Sequence, residues 1–168
     1  MKAILGDIRH PKSEGLIIPS NSIGLMTSGR ELIIAKTTLG GVPKEVKKFV
    51  KEHKVNVGDS FSTYSGRMNK RKVIKIYHAV IKKWKSDFTS VYIVSMALDK
   101  AIKQSISDGL KSIAICGIGI DDGDLDPIVV ARLTVSICKK YNGLIDIKII
   151  DENEIFINEI KKEIKQKD

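Results

Sequence analysis

Long apolar runs are missing from this sequence, and so are most of the motifs that mark a metal or nucleotide site. No stretch approaches the ~18 residues needed to cross a bilayer. The opening Met1-Lys2-Ala3-Ile4-Leu5-Gly6-Asp7 is too short in apolar residues for a secretory signal. Cysteine is scarce: Cys116 and Cys138 lie 22 positions apart, and His10, His53 and His78 are scattered. Neither CxxC nor any other metal-ligand spacing results, so no metal or cofactor is expected. The thiols suit buried positions in a reducing compartment, which makes a cytoplasmic location the expectation. GxGxxG, a Walker loop with its Lys and Gly-x-Ser-x-Gly are all absent, as are repeats and low-complexity tracts.

The composition is that of an ordinary globular chain: 168 residues, 42% hydrophobic and 29% charged. A chain of this length buries ~70% of its unfolded surface, enough for one core, so a single domain over 1–168 is expected. The formal charge of +9 is uneven, because residues 42–85 hold thirteen basic and three acidic groups. The C-terminal 151–168, with Lys161, Lys162, Lys165 and Lys167, is net acidic.

Hydrophobic spacing divides the chain into alternating elements. Strands are expected over 2–5, 16–18 (ending at Pro19), 59–64, 72–80, 112–116 and 145–150. Helices are expected over 29–39, 42–53 (Pro43 in the first turn), 91–107 (Ser90 as cap), 127–141 and 151–167. The polar link 65–71 reads as the turn of a hairpin. Interleaved strands and helices indicate an α/β layered fold.

Ligands of α/β sheets bind where loops leave the carboxyl ends of strands, and three such loops stand out. Asp7, after the first strand, is either a turn residue or a hydrogen-bond acceptor for a ligand. The run from Pro19 to Gly29 enters a helix whose first N–H groups can hold an anion, with Asn21 able to orient a hydroxyl or water. In the loop Gly117–Asp124 the glycines suit a close backbone approach to phosphate, whereas Asp121, Asp122 and Asp124 carry the wrong sign for one. The acidic residues lack the closing Glu of an EF-hand.

Taken in order, these segments resemble the macro domain family of ADP-ribose-binding modules. The matching pieces are Gly6-Asp7-Ile8, then Asn21-Ser22-x-Gly24-x-Met26-x-x-Gly29 opening a helix, then Ile76-Tyr77-His78-Ala79-Val80, and finally Lys111-Ser112-Ile113-Ala114-Ile115 with its glycine loop. The resemblance spans roughly 2–160 and implies a three-layer α/β/α sandwich around a mixed, mostly parallel six-stranded sheet. It further implies that Asp7 takes the adenine amino group with Ile8 as backbone donor. Asn21 would contact the distal ribose and, in hydrolytic members, help position water. Ser28 and Gly29 fall in the first loop, and Gly117, Ile118, Gly119, Ile120, Asp121 and Gly123 in the pyrophosphate loop. Phe156 matches the aromatic that packs on adenine or ribose.

The sequence departs from the family pattern at several positions. Thr27 and Ser28 stand where relatives usually carry glycine, and Ile18 where many have Asn. The run Gly119-Ile120-Asp121-Asp122-Gly123-Asp124 replaces Gly-Thr-Gly-Val-Gly-Gly. Added Cβ atoms and carboxylates both oppose a diphosphate, at about 1 kcal/mol per exposed like-charge pair at ~4 Å.

Three functions are compatible with this reading. One is binding of ADP-ribose or a related adenine nucleotide. A second is an ADP-ribosyl hydrolase, with Asn21 positioning water and Asp122 as general base. The third is a degenerate fold that binds nucleic acid or a protein through 42–85. There Arg67, Lys70, Arg71 and Lys72 cluster at the hairpin turn, and Lys82, Lys83 and Lys85 flank Trp84.

Overall fold

The computed structural model describes residues 1–84, 86–121 and 123–166. Among the described residues, six strands form one sheet: β1 (Lys2–Leu5), β2 (Gly15–Asn21), β3 (Ser60–Tyr64), β4 (Lys75–Lys82), β5 (Ser112–Ile115) and β6 (Asp146–Asp151). Their order is β1-β6-β5-β2-β4-β3, and every neighbouring pair is parallel except β3 with β4. The helices are α1 (Gly29–Thr37), α2 (Gly41–Glu52), α3 (Val91–Ser107), α4 (Pro127–Lys139) and α5 (Glu154–Lys165). Helices α1 and α2 pack on each other and on β2 and β3, while α3, α4 and α5 form a second contiguous layer. The α/β layering expected from the sequence, and the mixed, mostly parallel α/β/α sandwich that the resemblance implies, are present. None of these helices is long and apolar enough to cross a membrane.

The central strands are buried on both faces, which is why they read as unbroken apolar runs rather than alternating ones. All of β2 is buried, and it sits in register with β4 through Leu16↔Ile76, Ile17↔Tyr77 and Ile18↔His78. This strand does not stop at Pro19 but continues to Asn21. Ile17 directs its carbonyl toward β5, where it accepts from the Cys116 amide at 3.5 Å. Pro19, two residues on, faces the same side, and the β2–β5 pairing has already ended at Ile17. Its missing N–H therefore removes no ladder bond.

β4 also differs from expectation, starting at Lys75 and ending at Lys82. The link before it is a 3-10 helix over Gly66–Arg71 with Met68 fully buried beneath it. Lys72 closes that helix in the left-handed region at φ 68°, and the Ser65 hydroxyl donates to the Val73 carbonyl. Residues 72–74 are used in this closure, so β4 starts later than expected, and separately it runs two residues past the expected end, to Lys82.

Helix starts follow their capping residues. Ser90 Oγ accepts from Ile93 N at 3.3 Å, and Asp126 Oδ1 accepts from Ile128 N at 2.8 Å with Pro127 opening α4. Asn153 Oδ1 accepts from Phe156 N at 2.9 Å, so α5 begins at Glu154 and leaves Asp151 as the last strand residue. At the β3 edge a ring stack ties helix to sheet: Phe49 on Phe61 at 4.6 Å and Phe61 on His78 at 4.7 Å between centroids.

Candidate functional site

A cavity of about 590 Å³ opens at the carboxyl ends of β1 and β6 and runs along α1 from Arg30 to Thr37. Its walls come from three chain segments. The β1 loop contributes Asp7, Ile8 and Arg9; α1 contributes Arg30, Ile33 and Lys36; the β6 end contributes Asp151, Glu152 and Asn153. Asp121 and Arg71 complete the rim.

The first wall is a self-closed turn. Asp7 Oδ1 accepts from the Arg9 amide at 2.8 Å and Oδ2 from Arg9 Nε at 2.6 Å. Arg9 holds the Asp7 carboxyl below the usual carboxylate range, chiefly through that side-chain bond. Asp7 is thus both the turn residue and a cavity residue, and the ionised carboxylate stays an acceptor. Ile8 behind it is buried.

The floor is a buried ion cluster. Arg30 Nε and Nη2 both donate to Asp151 Oδ2, at 2.9 and 2.6 Å. The same oxygen accepts from Gly117 N at 2.8 Å, and Oδ1 accepts from Asn153 N at 2.9 Å. The remaining Arg30 nitrogen, Nη1, donates to Asp121 Oδ2 at 2.5 Å. Arg30 and Asp151 are almost fully buried, whereas the Asp121 side chain is 54% exposed. Neither Arg30 nor Asp151 stood out in the sequence. The available signal was that Arg30 is the first charge after Glu14, in a stretch otherwise free of charged residues.

Beyond Asp121 the glycine loop folds tightly on itself. Gly119 has φ 93°, and its carbonyl accepts from Leu125 N at 3.0 Å. A Cβ on Gly123 would lie 2.5 Å from Thr89 Cγ2 and 2.6 Å from the Gly119 oxygen. Ile118 and Ile120 are buried in the core, and of this loop Asp121 lines the cavity, whereas Gly117, Gly119 and Gly123 do not, nor do Ser28 and Gly29. Cys116, just before this loop, is buried and has its thiol pKa pushed up by that burial; the same cause raises Cys138 to about 12. Asp122, expected as a general base, lies outside the described residues.

Asn21 does not line the cavity. Its Nδ2 donates to Leu25 O at 2.6 Å and Glu31 Oε2 at 3.3 Å, while Oδ1 accepts from Leu25 N at 3.0 Å. Asn21 thereby shapes the loop that leads to Ser28, at the N-cap position of α1, and Gly29, at φ 52°. Lys82 is paired with Asn21 at the end of β4 and is buried, so it is not part of an exposed basic patch. Phe156 is likewise fully buried in the core and offers no face to the cavity; Glu152 and Asn153 are the residues that loop presents instead.

The basic segment divides in two. Arg67, Lys70, Arg71 and Lys72 precede β4, whereas Lys83 and Trp84 follow it, and an eight-residue strand spans ~25 Å. Lys85 lies outside the described residues. Arg71 belongs to the cleft, since its Nη1 donates to the Arg9 carbonyl at 2.8 Å. Arg67, Lys70, Lys72 and Lys83 are exposed, and Trp84 is half exposed.

A family model described as Macro domain matches residues 18–134. An uncharacterized protein of Aquifex aeolicus (strain VF5) is 28% identical over 141 residues, covering 84% of this chain and 82% of that protein. The macrodomain of Mycobacterium tuberculosis DarG superposes with a TM-score of 0.80 at 20% identity, covering 90% of this chain and 97% of that one. A mutant Oceanobacillus iheyensis macrodomain solved with ADP-ribose gives 0.83 at 15% identity, covering 96% and 90%.

Proposed function

Because the chain belongs to the macro domain family, we propose that its cleft binds ADP-ribose or a related adenine nucleotide derivative. The observation that carries this reading is the pairing of two features in one cavity of about 590 Å³. The ionised Asp7 carboxylate offers an acceptor suited to an adenine amino group, and Arg30 supplies a cation toward the diphosphate. The volume is in the range of pockets that enclose a small organic ligand. A neighbour of the same fold was solved with ADP-ribose. Isothermal titration tests the reading: ADP-ribose should bind, and Asp7→Ala should weaken binding at least tenfold, the loss of a charge-assisted hydrogen bond. No heat from ADP-ribose at high micromolar concentration would reject it.

Hydrolysis of an ADP-ribosyl bond is the second reading, in which Asn21 and the buried Lys82, register partners at the ends of adjacent strands, act by positioning and not by contact with the ligand. Asn21 then acts by ordering the loop over 22–25 rather than by holding water through its own amide, which is engaged with Leu25. Release of ADP-ribose from a modified protein or nucleic acid, abolished in both Asn21→Ala and Lys82→Ala, is the expected result. Turnover retained in both variants would show that the ends of β2 and β4 take no part in catalysis.

A further inference from the structure

Arg30 offers its two edges to partners of very different permanence. One edge is fixed: Nε and Nη2 share Asp151 Oδ2, itself held by the Gly117 amide and buried at the end of β6. The other edge, Nη1, faces the cavity rim and meets Asp121, whose side chain is 54% exposed. A buried guanidinium with one edge anchored cannot leave. A half-exposed loop carboxylate can turn into water at little cost.

We propose that Asp121 is an internal stand-in for the ligand's phosphate: it caps the cavity-facing edge of Arg30 and is displaced when a diphosphate arrives. The proposal rests on the adenine-nucleotide reading above and names the group that recognises the phosphates. A phosphate carries more charge than a carboxylate and matches the guanidinium fork at least as well, so it competes for the same nitrogen. Displacing Asp121 also relieves the like-charge contact that an acidic loop would otherwise impose on a diphosphate. The acidic residue at this position therefore sets a threshold. Nucleosides without phosphate gain nothing from Arg30, and ligands with a diphosphate gain only what exceeds the Asp121 contact.

The measurement is titration of adenosine, AMP, ADP and ADP-ribose into the full chain and into Asp121→Asn, with thermal midpoints recorded for both. Asp121→Asn removes the competing charge, so the affinity ratio of ADP to adenosine should rise about tenfold, and that of ADP-ribose to adenosine likewise. Arg30→Lys keeps a buried cation beside Asp151 but loses the second edge, and it should bring the ADP-to-adenosine ratio below that of the parent chain. The stand-in role is overturned if Asp121→Asn leaves that ratio where it was or lowers it, because Asp121 would then be a bystander or a ligand contact. ADP-ribose binding equally to both proteins overturns this inference alone. No binding of ADP-ribose to either protein overturns the adenine-nucleotide reading together with it.

Discussion

Arg30 and Asp151, 121 positions apart in the sequence, meet through two nitrogens on a single carboxylate oxygen, at 2.9 and 2.6 Å. That oxygen also receives the Gly117 amide, so one buried carboxylate ties together α1, the end of β6 and the start of the glycine loop. Neither partner is at a position the family resemblance singled out, yet the pair forms the floor of the cleft.

Removing Asp151 should therefore cost stability before it costs binding. Asp151→Ala strands a buried guanidinium and leaves the Gly117 and Asn153 amides without their acceptor. Breaking a buried ion pair from one side costs about 3–5 kcal/mol. The urea midpoint should fall accordingly, and Asp151→Asn, which keeps one acceptor oxygen, should lose less. Equal midpoints for the alanine variant and the parent would mean that the pair carries no structural load.

How much of this was legible in the sequence follows from what kind of signal each part leaves. Apolar periodicity exposed the strand and helix order, because burial of β2 and β4 on both faces writes itself into Leu16-Ile17-Ile18 and Ile76–Ile81. Asp7, which lines the cavity, was legible from the residues as a strand-end turn or acceptor, and only the family resemblance gave it a ligand role. Arg30 and Asp151 were not, since a contact between residues so far apart has no local pattern. Phe156 illustrates the opposite error: an aromatic near the last strand suited a ligand contact by position, but its place on the inner face of α5 is set by the i, i+4 spacing with Ile160, which is also fully buried. The two halves of the basic segment looked like one patch because sequence proximity hides the length of the strand between them.

Stability should also fall with pH through His78. The ring is fully buried between sheet and helix, with Nε2 against Thr63 Oγ1 at 3.0 Å, and Nδ1 has no hydrogen-bond partner among the described residues. Desolvation lowers its pKa from 6.5 to about 3. The folded state thus keeps a neutral ring, while the unfolded chain takes up a proton below pH ~6.5. The sign is fixed by that difference: the unfolded state binds the extra proton, so acidification favours unfolding, with the stability complete above pH ~6.5 and lost progressively toward pH ~3. Between pH 7 and pH 5 the expected loss is about 2 kcal/mol. His78→Gln will be less stable at neutral pH, but its urea midpoint should change far less between those two pH values. A variant that keeps the parent's slope would assign the proton uptake to another group.

Two glycines should respond in opposite directions to the same substitution. At Gly123 a methyl group would meet the Gly119 carbonyl oxygen and Thr89 Cγ2, at 2.6 and 2.5 Å, so the loop must open. Overpacking of this kind costs about 1–3 kcal/mol, and here it also moves the backbone beside Asp121. Gly123→Ala should lower both the thermal midpoint and the affinity for ADP-ribose. At Gly41, the first residue of α2, nothing lies within 4 Å of an added Cβ and the φ is an ordinary one. Gly41→Ala should raise stability by about 0.4–1 kcal/mol through the unfolded chain and leave ligand affinity alone. A neutral Gly123→Ala would show that the loop yields freely.

Nucleic-acid binding through the basic segment makes a prediction that the two ends of β4 can separate. Trp84 is the single tryptophan, so its emission reports only on the end of β4 that also carries Lys83. A short single strand stacked there should quench Trp84, and Trp84→Leu should weaken binding about tenfold, the usual worth of one base on one ring. A strand held instead by Arg67, Lys70, Arg71 and Lys72 would leave the emission unchanged. Its affinity would fall with salt at a log–log slope of about −3 for four phosphate contacts. Arg67→Gln with Lys70→Gln should then flatten that slope by roughly half. Because Arg71 also reaches the Arg9 carbonyl at the cleft, occupancy of the 3-10 turn and of the cleft should interfere, and ADP-ribose should lower oligonucleotide affinity in the second case but not in the first. Binding that neither quenches Trp84 nor weakens with salt would exclude both ends as phosphate-contacting surfaces.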